Sequence, residues 1–322
     1  MGAHYIFTKM FSVARILSRG DRATFFWPNA LMTFSMFCHV CAPCHEQSNS
    51  NALGLPPLTP HLLAQYAAAV SKLTSQDIDN PISVPALLME RAHINGRCVD
   101  MMYAPFDHVN AHAKVVIVGM TPGKFQAANA LRSAQQTLRQ GKSIEQAAAD
   151  AKVHASFSGE PMRGNLVRML DAIGVAKLLG IGSTARLWGD QSALVHFTSA
   201  LRYPVFVDGQ NWSGQPNMVR SAPLRKWLEA YTATELQLLG DAVIVPLGPK
   251  VAEAMRHLAK LGFVDEARIL DGLPHPSGAN AERIAYFLGD KAAERCSPKT
   301  NTKLLDDARH SLCQRVAQLQ RH

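Results

Sequence analysis

Two short stretches carry residues whose types and spacing suit chemistry. One is Gly119-Met120-Thr121-Pro122-Gly123, after the apolar run Val115 to Val118; the other is Pro274-His275-Pro276-Ser277-Gly278-Ala279-Asn280, after Ile269-Leu270. Each reads as a strand ending in a tight Gly/Pro turn, the place where an α/β sheet presents its functional groups. In the first, glycine turns the chain sharply off the strand, lets backbone N–H groups face a ligand and sets the Thr121 hydroxyl at the sheet edge. In the second, the flanking prolines fix the backbone of His275 and project its ring, while Ser277 and Gly278 offer a hydroxyl and an N–H at the start of a helix, a terminus suited to phosphate. A phosphate-binding P-loop competes for the first stretch, because Gly123-Lys124 looks like its end. It fails on two positions: Val118 stands where glycine should be, and Phe125 follows the lysine where Ser or Thr should bind magnesium.

Both turns need strands beneath them, and the pattern along the chain supplies these. Apolar periodicity predicts helices over Leu62 to Leu73, Phe125 to Gln140, Ser143 to Val153, Asn165 to Ile173, Ala222 to Leu239 and Pro249 to Leu261, with Pro85 to His93 a further apolar-periodic segment. Strands are predicted over Lys114 to Gly119, Leu194 to Ser199, Ala242 to Leu247 and Ala267 to Leu270, and helices again over Ala279 to Phe287 and Leu304 to Leu319. Strands alternating with helices of this length require right-handed crossovers and a parallel sheet covered on both faces. The Ala/Gln-rich stretch within the insert of about residues 125–153 reads as a surface helical pair by its polarity, and Val207 to Gln215 as a loop.

Composition bounds the rest. A chain of 322 residues, 47% hydrophobic and 18% charged, buries one sizeable core, so a single α/β domain with tails is expected, from about residue 55 to residue 322. Residues 24–42 are uncharged and rich in Phe, Met and Leu behind Arg19 and Arg22, the profile of a secretory segment or a short membrane anchor, but Pro28 and Asn29 interrupt it. Residues 1–54 are therefore read as a poorly ordered extension and the protein as cytoplasmic, with no membrane partner. The formal charge is +8, of which residues 1–50 supply +2 and the remainder +6. This balance suits a polyanionic partner, and a moderately basic enzyme without one has it too. Cys38, Cys41 and Cys44 have metal-ligand spacing, but no fourth cysteine is nearby, and no metal or disulfide framework is expected.

Taken together, the two turns resemble the active-site motifs of the uracil-DNA glycosylase superfamily, the first reading Gly-x-(Asp/Asn)-Pro and the second His-Pro-Ser. The resemblance spans about Lys114 to Phe287 and departs at Thr121, which stands in the Asp/Asn place. It implies a three-layer α/β/α fold with a four-stranded parallel sheet. It also implies a monomer that binds DNA, needs no cofactor, and hydrolyses the N-glycosidic bond of a deaminated or damaged base. By the same resemblance, His275 stabilises negative charge on the departing base and Thr121 at best orients a water. Gly119, Met120, Phe157 and Ser199 surround the base, and Pro122, Gly123, Lys124, Ser277, Gly278, Asn280 and Arg283 meet the DNA. Phe125 rivals Phe157 as the aromatic that stacks on the base; either is also a candidate core plug. Ser199 stands where many members carry an asparagine, and one hydroxyl cannot reproduce the paired donor and acceptor of an amide. Asn211 could substitute and Trp212 could stack, or that loop is an ordinary turn with an aromatic anchor. Two other readings stay open: a glycosylase-fold module that binds DNA or a damaged base with little catalysis, and an unrelated α/β enzyme acting on a free nucleotide or nucleoside.

Overall fold

Val115-Val116-Ile117-Val118 is a run of β-branched side chains, stiff at χ1 and suited to a strand buried on both faces. All four are fully buried. In the computed structural model, which describes residues 62–155 and 160–321, this run is the centre of a parallel sheet. The expected extension over residues 1–54, the domain start near residue 55, the three clustered cysteines and Phe157 lie outside the described residues.

In chain order the elements are α1 (Leu62–Lys72), α2 (Ser75–Asp79), β1 (Leu88–Ile94), β2 (Arg97–Met102), β3 (Val115–Gly119), α3 (Lys124–Arg139) and α4 (Ile144–Ala155). There follow α5 (Met162–Ala172), α6 (Val175–Leu178), β4 (Val195–Ser199), β5 (Val205–Val207), β6 (Gln210–Asn211) and α7 (Ala222–Trp227). The last are α8 (Thr234–Gln237), β7 (Val243–Pro246), α9 (Pro249–Lys260), α10 (Ala281–Leu288) and α11 (Thr302–Leu319). A π turn over Leu228–Ala233 joins α7 to α8, so the predicted long helix is present with a widened middle.

The parallel strands lie in the order β4-β3-β7, with Val115 opposite both Val195 and Val243. Alternation sends Val116, Val118 and Ile244 to one face, against Leu131 and Ala134 of α3 and Met255 and Leu258 of α9. Val115, Ile117 and Val245 go to the other face, against Leu166 and Met169 of α5 and Leu312 and Val316 of α11. Different helices thus cover the two faces.

Three expectations are corrected. The fourth strand, over Ala267 to Leu270, is reduced to one parallel bridge, Ile244 to Ile269, continued by a bond from Leu270 N to Ile244 O of 2.8 Å. The Asp265 carboxylate caps the Ala267 N–H and winds Glu266–Arg268 into a 3₁₀ turn, which uses up the residues a strand would need. The Ala/Gln-rich pair is not surface decoration, because Ala127, Ala130, Leu131, Ala134, Ala147 and Ala151 are buried. Small side chains let α3 and α4 approach closely, and buried Gln135 donates to the carbonyls of Val70 and Leu73 at the end of α1. Finally, most of the apolar-periodic segment Pro85 to His93 is strand β1, and the expected loop Val207 to Gln215 contains β6, both in an antiparallel sheet of order β1-β2-β5-β6 beside the parallel one. Its hairpins turn at Asn95-Gly96 and Asp208-Gly209, all four residues at positive φ, as the tight hairpin turn demands. Among the described residues, no helix is long and apolar enough to cross a membrane.

Candidate functional site

The strand order places β4 on one side of β3 and β7 on the other, so the chain leaves β3 in one direction and arrives at β7 from the other. A ligand crevice is expected outside the carboxyl ends of strands at such a reversal. Gly119 to Gly123 leaves β3 there. Leu247 N donates to Val118 O at 2.9 Å, which carries Gly248 to the same edge, and a Cβ built on Gly248 would lie 3.6 Å from Cδ2 of His275. Both turns therefore flank one point of the sheet edge.

His275 is half-buried between buried Pro274 and Pro276. Its Nδ1 accepts from the Ser277 backbone N–H at 3.3 Å and lies 3.0 Å from the Ser277 hydroxyl. A backbone N–H can only donate, so Nδ1 carries the lone pair and the proton of the neutral ring sits on Nε2. Burial pushes the imidazole pKa below its usual value, which keeps the ring neutral. No described residue pairs with Nε2, which leaves His275 an uncharged N–H donor. Asn165, at the start of α5, donates to Pro276 O at 2.9 Å and holds this turn from below. Its role is invisible in sequence, since 111 residues separate the partners.

Gly248 has φ +95° and ψ 166°, a conformation essentially confined to glycine. Gly248→Ala is expected to cost about 1–3 kcal/mol in backbone strain. The added methyl would make only an ordinary contact with the His275 ring. Urea denaturation checks this, and an unchanged midpoint would show that the turn relaxes without penalty.

The first turn is more committed than its sequence suggests. The Thr121 hydroxyl donates to Tyr203 O at 3.1 Å and accepts from Val205 N at 3.2 Å, tying β3 to β5. Gly123 N is taken by Gln126 Oε1 and Lys124 N by Asn211 Oδ1, each at 2.9 Å, so these two N–H groups at the start of α3 do not face a ligand. Pro122 is buried and shapes the turn, Met120 is half-buried, and Gly119 pairs with buried Ser199, the last residue of β4. Trp212 is buried with its indole N–H on Pro216 O, an aromatic anchor, and Asn211 serves as the helix cap. Phe125 is 77% exposed, which rules out a core role.

Beyond His275, Asn280 donates to Ser277 Oγ at 3.3 Å, and exposed Arg283 contacts Asn280 Oδ1 and Lys299 O. Gly278 is exposed. A cavity of about 540 Å³ opens here, with His275, Arg256, Arg283 and Lys299 on its walls. Its one carboxylate, Asp271, is bound by Arg256 and Arg315.

A second polar constellation was not singled out from sequence. Glu235, in α8, accepts from Lys152 Nζ and His196 Nε2 at 2.7 Å and from the Thr198 hydroxyl at 2.6 Å, and all four residues are buried. Asp107 accepts from the hydroxyls of Tyr103 and Tyr203, both at 2.6 Å. Burial pushes Lys152 down to about 8, so it is still an ammonium at neutral pH, and the Arg202 and Lys152 charges hold Glu235 ionised against its burial. The available signal was a charged or titratable residue inside each of several apolar elements, with nothing local to say that they meet. Cavity space of about 400 Å³ lies beside Lys152 and His196.

His196 Nδ1 accepts from Asn110 N, so the imidazole is buried neutral, and burial together with the Lys152 charge pushes its pKa down to about 4 from 6.5. Between pH 6.5 and 4 the unfolded chain binds a proton that the folded chain refuses, so stability falls as pH drops through this window. The expected loss is about 3 kcal/mol. His196→Gln, which keeps a donor towards Glu235, should flatten that part of the profile in urea titrations at a series of pH values; an equally steep profile would locate the acid sensitivity elsewhere.

No protein-family model matches the chain, and no solved structure matches it. Over 192 residues it is 37% identical to a Bacillus subtilis (strain 168) protein named "Uncharacterized protein YoxB", covering 59% of this chain and 75% of that protein. With that identity over three-quarters of the relative, the chain belongs to the same family as YoxB of Bacillus subtilis.

Proposed function

We propose that the protein is a DNA glycosylase-like hydrolase of a deaminated or otherwise damaged base, acting as a monomer at the carboxyl edge of the parallel sheet. The reading takes the bridge at Ile269 as the remnant of a fourth strand in a three-layer glycosylase-like fold. The observation that carries it is His275, neutral, held at Nδ1 by Ser277 and offering Nε2–H beside Gly248, which follows β7, the strand next to β3. In the reaction the C1′–N bond breaks with its electron pair going to the base, and water adds its oxygen to C1′ and gives up a proton to the solvent, from which the base anion is reprotonated. A preorganised N–H donor lowers the energy of the base anion as its charge develops, without reorganising at that moment. The basic cavity next to His275 favours a polyanionic ligand over a free nucleoside.

A second reading, a module that binds damaged DNA with little catalysis, is favoured by Thr121. Its hydroxyl proton is already given to Tyr203 O, and unlike a carboxylate it brings no negative charge to the sugar cation. One experiment separates the two: labelled oligonucleotides containing uracil, hypoxanthine or xanthine are incubated with excess protein and cleaved with alkali. Abasic sites support hydrolysis and identify the base. Salt-sensitive binding without product supports the module, and neither product nor binding would sink both.

A further inference from the structure

Phe125 is the most exposed large apolar side chain among the described residues, in the first turn of α3 immediately after the Thr121 turn. Its surroundings are basic. Lys124 precedes it, and the loop whose Asn211 caps α3 also binds Lys250, whose Nζ donates to Ser213 O at 3.1 Å. Lys250 follows Gly248 and Pro249, on the side of the edge where His275 packs. Past His275 the cavity continues with Arg283 and Lys299, and 63% exposed Leu304 offers a second apolar contact on its wall. Charge and exposed apolar groups thus follow one another along the edge, with the proposed reacting group between them.

We infer that this edge is a track for single-stranded DNA, with one base stacked on Phe125, phosphates on Lys250 and in the Arg283–Lys299 cavity, and the target nucleotide at His275. The inference rests on the glycosylase-like reading for the chemistry at His275. Cations interleaved with an exposed aromatic are the usual means of holding a single strand, because every base has a face to stack and phosphates recur along the backbone. Opening a duplex instead calls for a bulky side chain to fill the gap left by the displaced base. From Pro276 to Asn280 the exposed residues are Gly278 and Ala279, and the Asn280 amide is bound to Ser277.

The test is fluorescence anisotropy of the full chain with an undamaged labelled single strand and with the same strand annealed to its complement, across a salt series. The single strand is expected to bind roughly tenfold tighter, and Phe125→Ala to remove most of that difference. Arg283→Ala with Lys299→Ala is expected to lower the salt slope by about two contacts. Equal or tighter duplex binding would overturn the inference, as would single-strand binding indifferent to Phe125→Ala. Excision from damaged duplex, measured alongside, tells whether the glycosylase reading stands when the track fails; loss of all binding together with no excision would remove both.

Discussion

Replacing Glu235 with alanine should destabilise the protein by about 3–5 kcal/mol, a large part of the total stability of an ordinary domain. Glu235 is wholly buried, and its two oxygens serve Lys152, His196 and Thr198, with Arg202 Nε 3.6 Å away. Without it, the Lys152 ammonium and the Arg202 guanidinium lose the countercharge they share in a region where water does not replace it. The pair itself is not a large net gain, since taking both charges out of water offsets much of their attraction. For that reason Lys152→Met combined with Glu235→Leu should lose markedly less than the sum of the two single changes. Urea unfolding followed by tryptophan fluorescence reads both quantities. A loss below about 1 kcal/mol for Glu235→Ala would mean that the site takes up water.

His275→Ala should slow single-turnover excision by about 10²–10³-fold, the usual cost of removing one preorganised donor from a developing anion. Binding of undamaged single strand should change little, because Phe125, Lys250, Arg283 and Lys299 are untouched. The pH profile provides an independent readout. Protonating the ring would put a second proton on Nδ1 and break its bond from the Ser277 N–H, while burial keeps the pKa below the usual imidazole value. Excision should therefore persist as pH falls through 6.5 and decline only at more acid pH. A rate that falls with an ordinary imidazole pKa, or a His275→Ala protein as fast as the parent, would remove His275 from the chemistry. His275→Gln retains an amide donor, and partial recovery in it would separate loss of the donor from collapse of the turn.

Several elements could be read in advance because their signal is local. Val115 to Val118 is continuous and β-branched, so it has to be a strand covered on both faces, and the turns after it and before His275 are written in glycine and proline. The amphipathic helices over Leu62–Lys72 and Pro249–Lys260 follow from apolar spacing alone. The hairpins were missed although Asn95-Gly96 and Asp208-Gly209 signal them, because the flanking strands mix polar and apolar residues and Val207 to Gln215 reads as a loop. By itself, then, the sequence determined the parallel strands at its centre, the helices around them and the two turns at their carboxyl ends. It did so because backbone preferences and hydrophobic periodicity act over a few residues.

Tertiary structure decided the rest, because a side chain's role depends on partners far away in the chain. The Thr121 hydroxyl is consumed by Tyr203 and Val205, Asn165 holds Pro276, and Asn211 caps a helix that begins 87 residues earlier. The alanines of α3 and α4 read as surface until helices packed on them, and Ala267 to Leu270 read as a strand until Asp265 drew its start into a turn. Lys152, His196 and Glu235 are unremarkable where they stand in sequence. Folding brings Lys152 Nζ and His196 Nε2 each to 2.7 Å from Glu235 Oε1. At that range, with water excluded, their charges are set by each other rather than by the solvent.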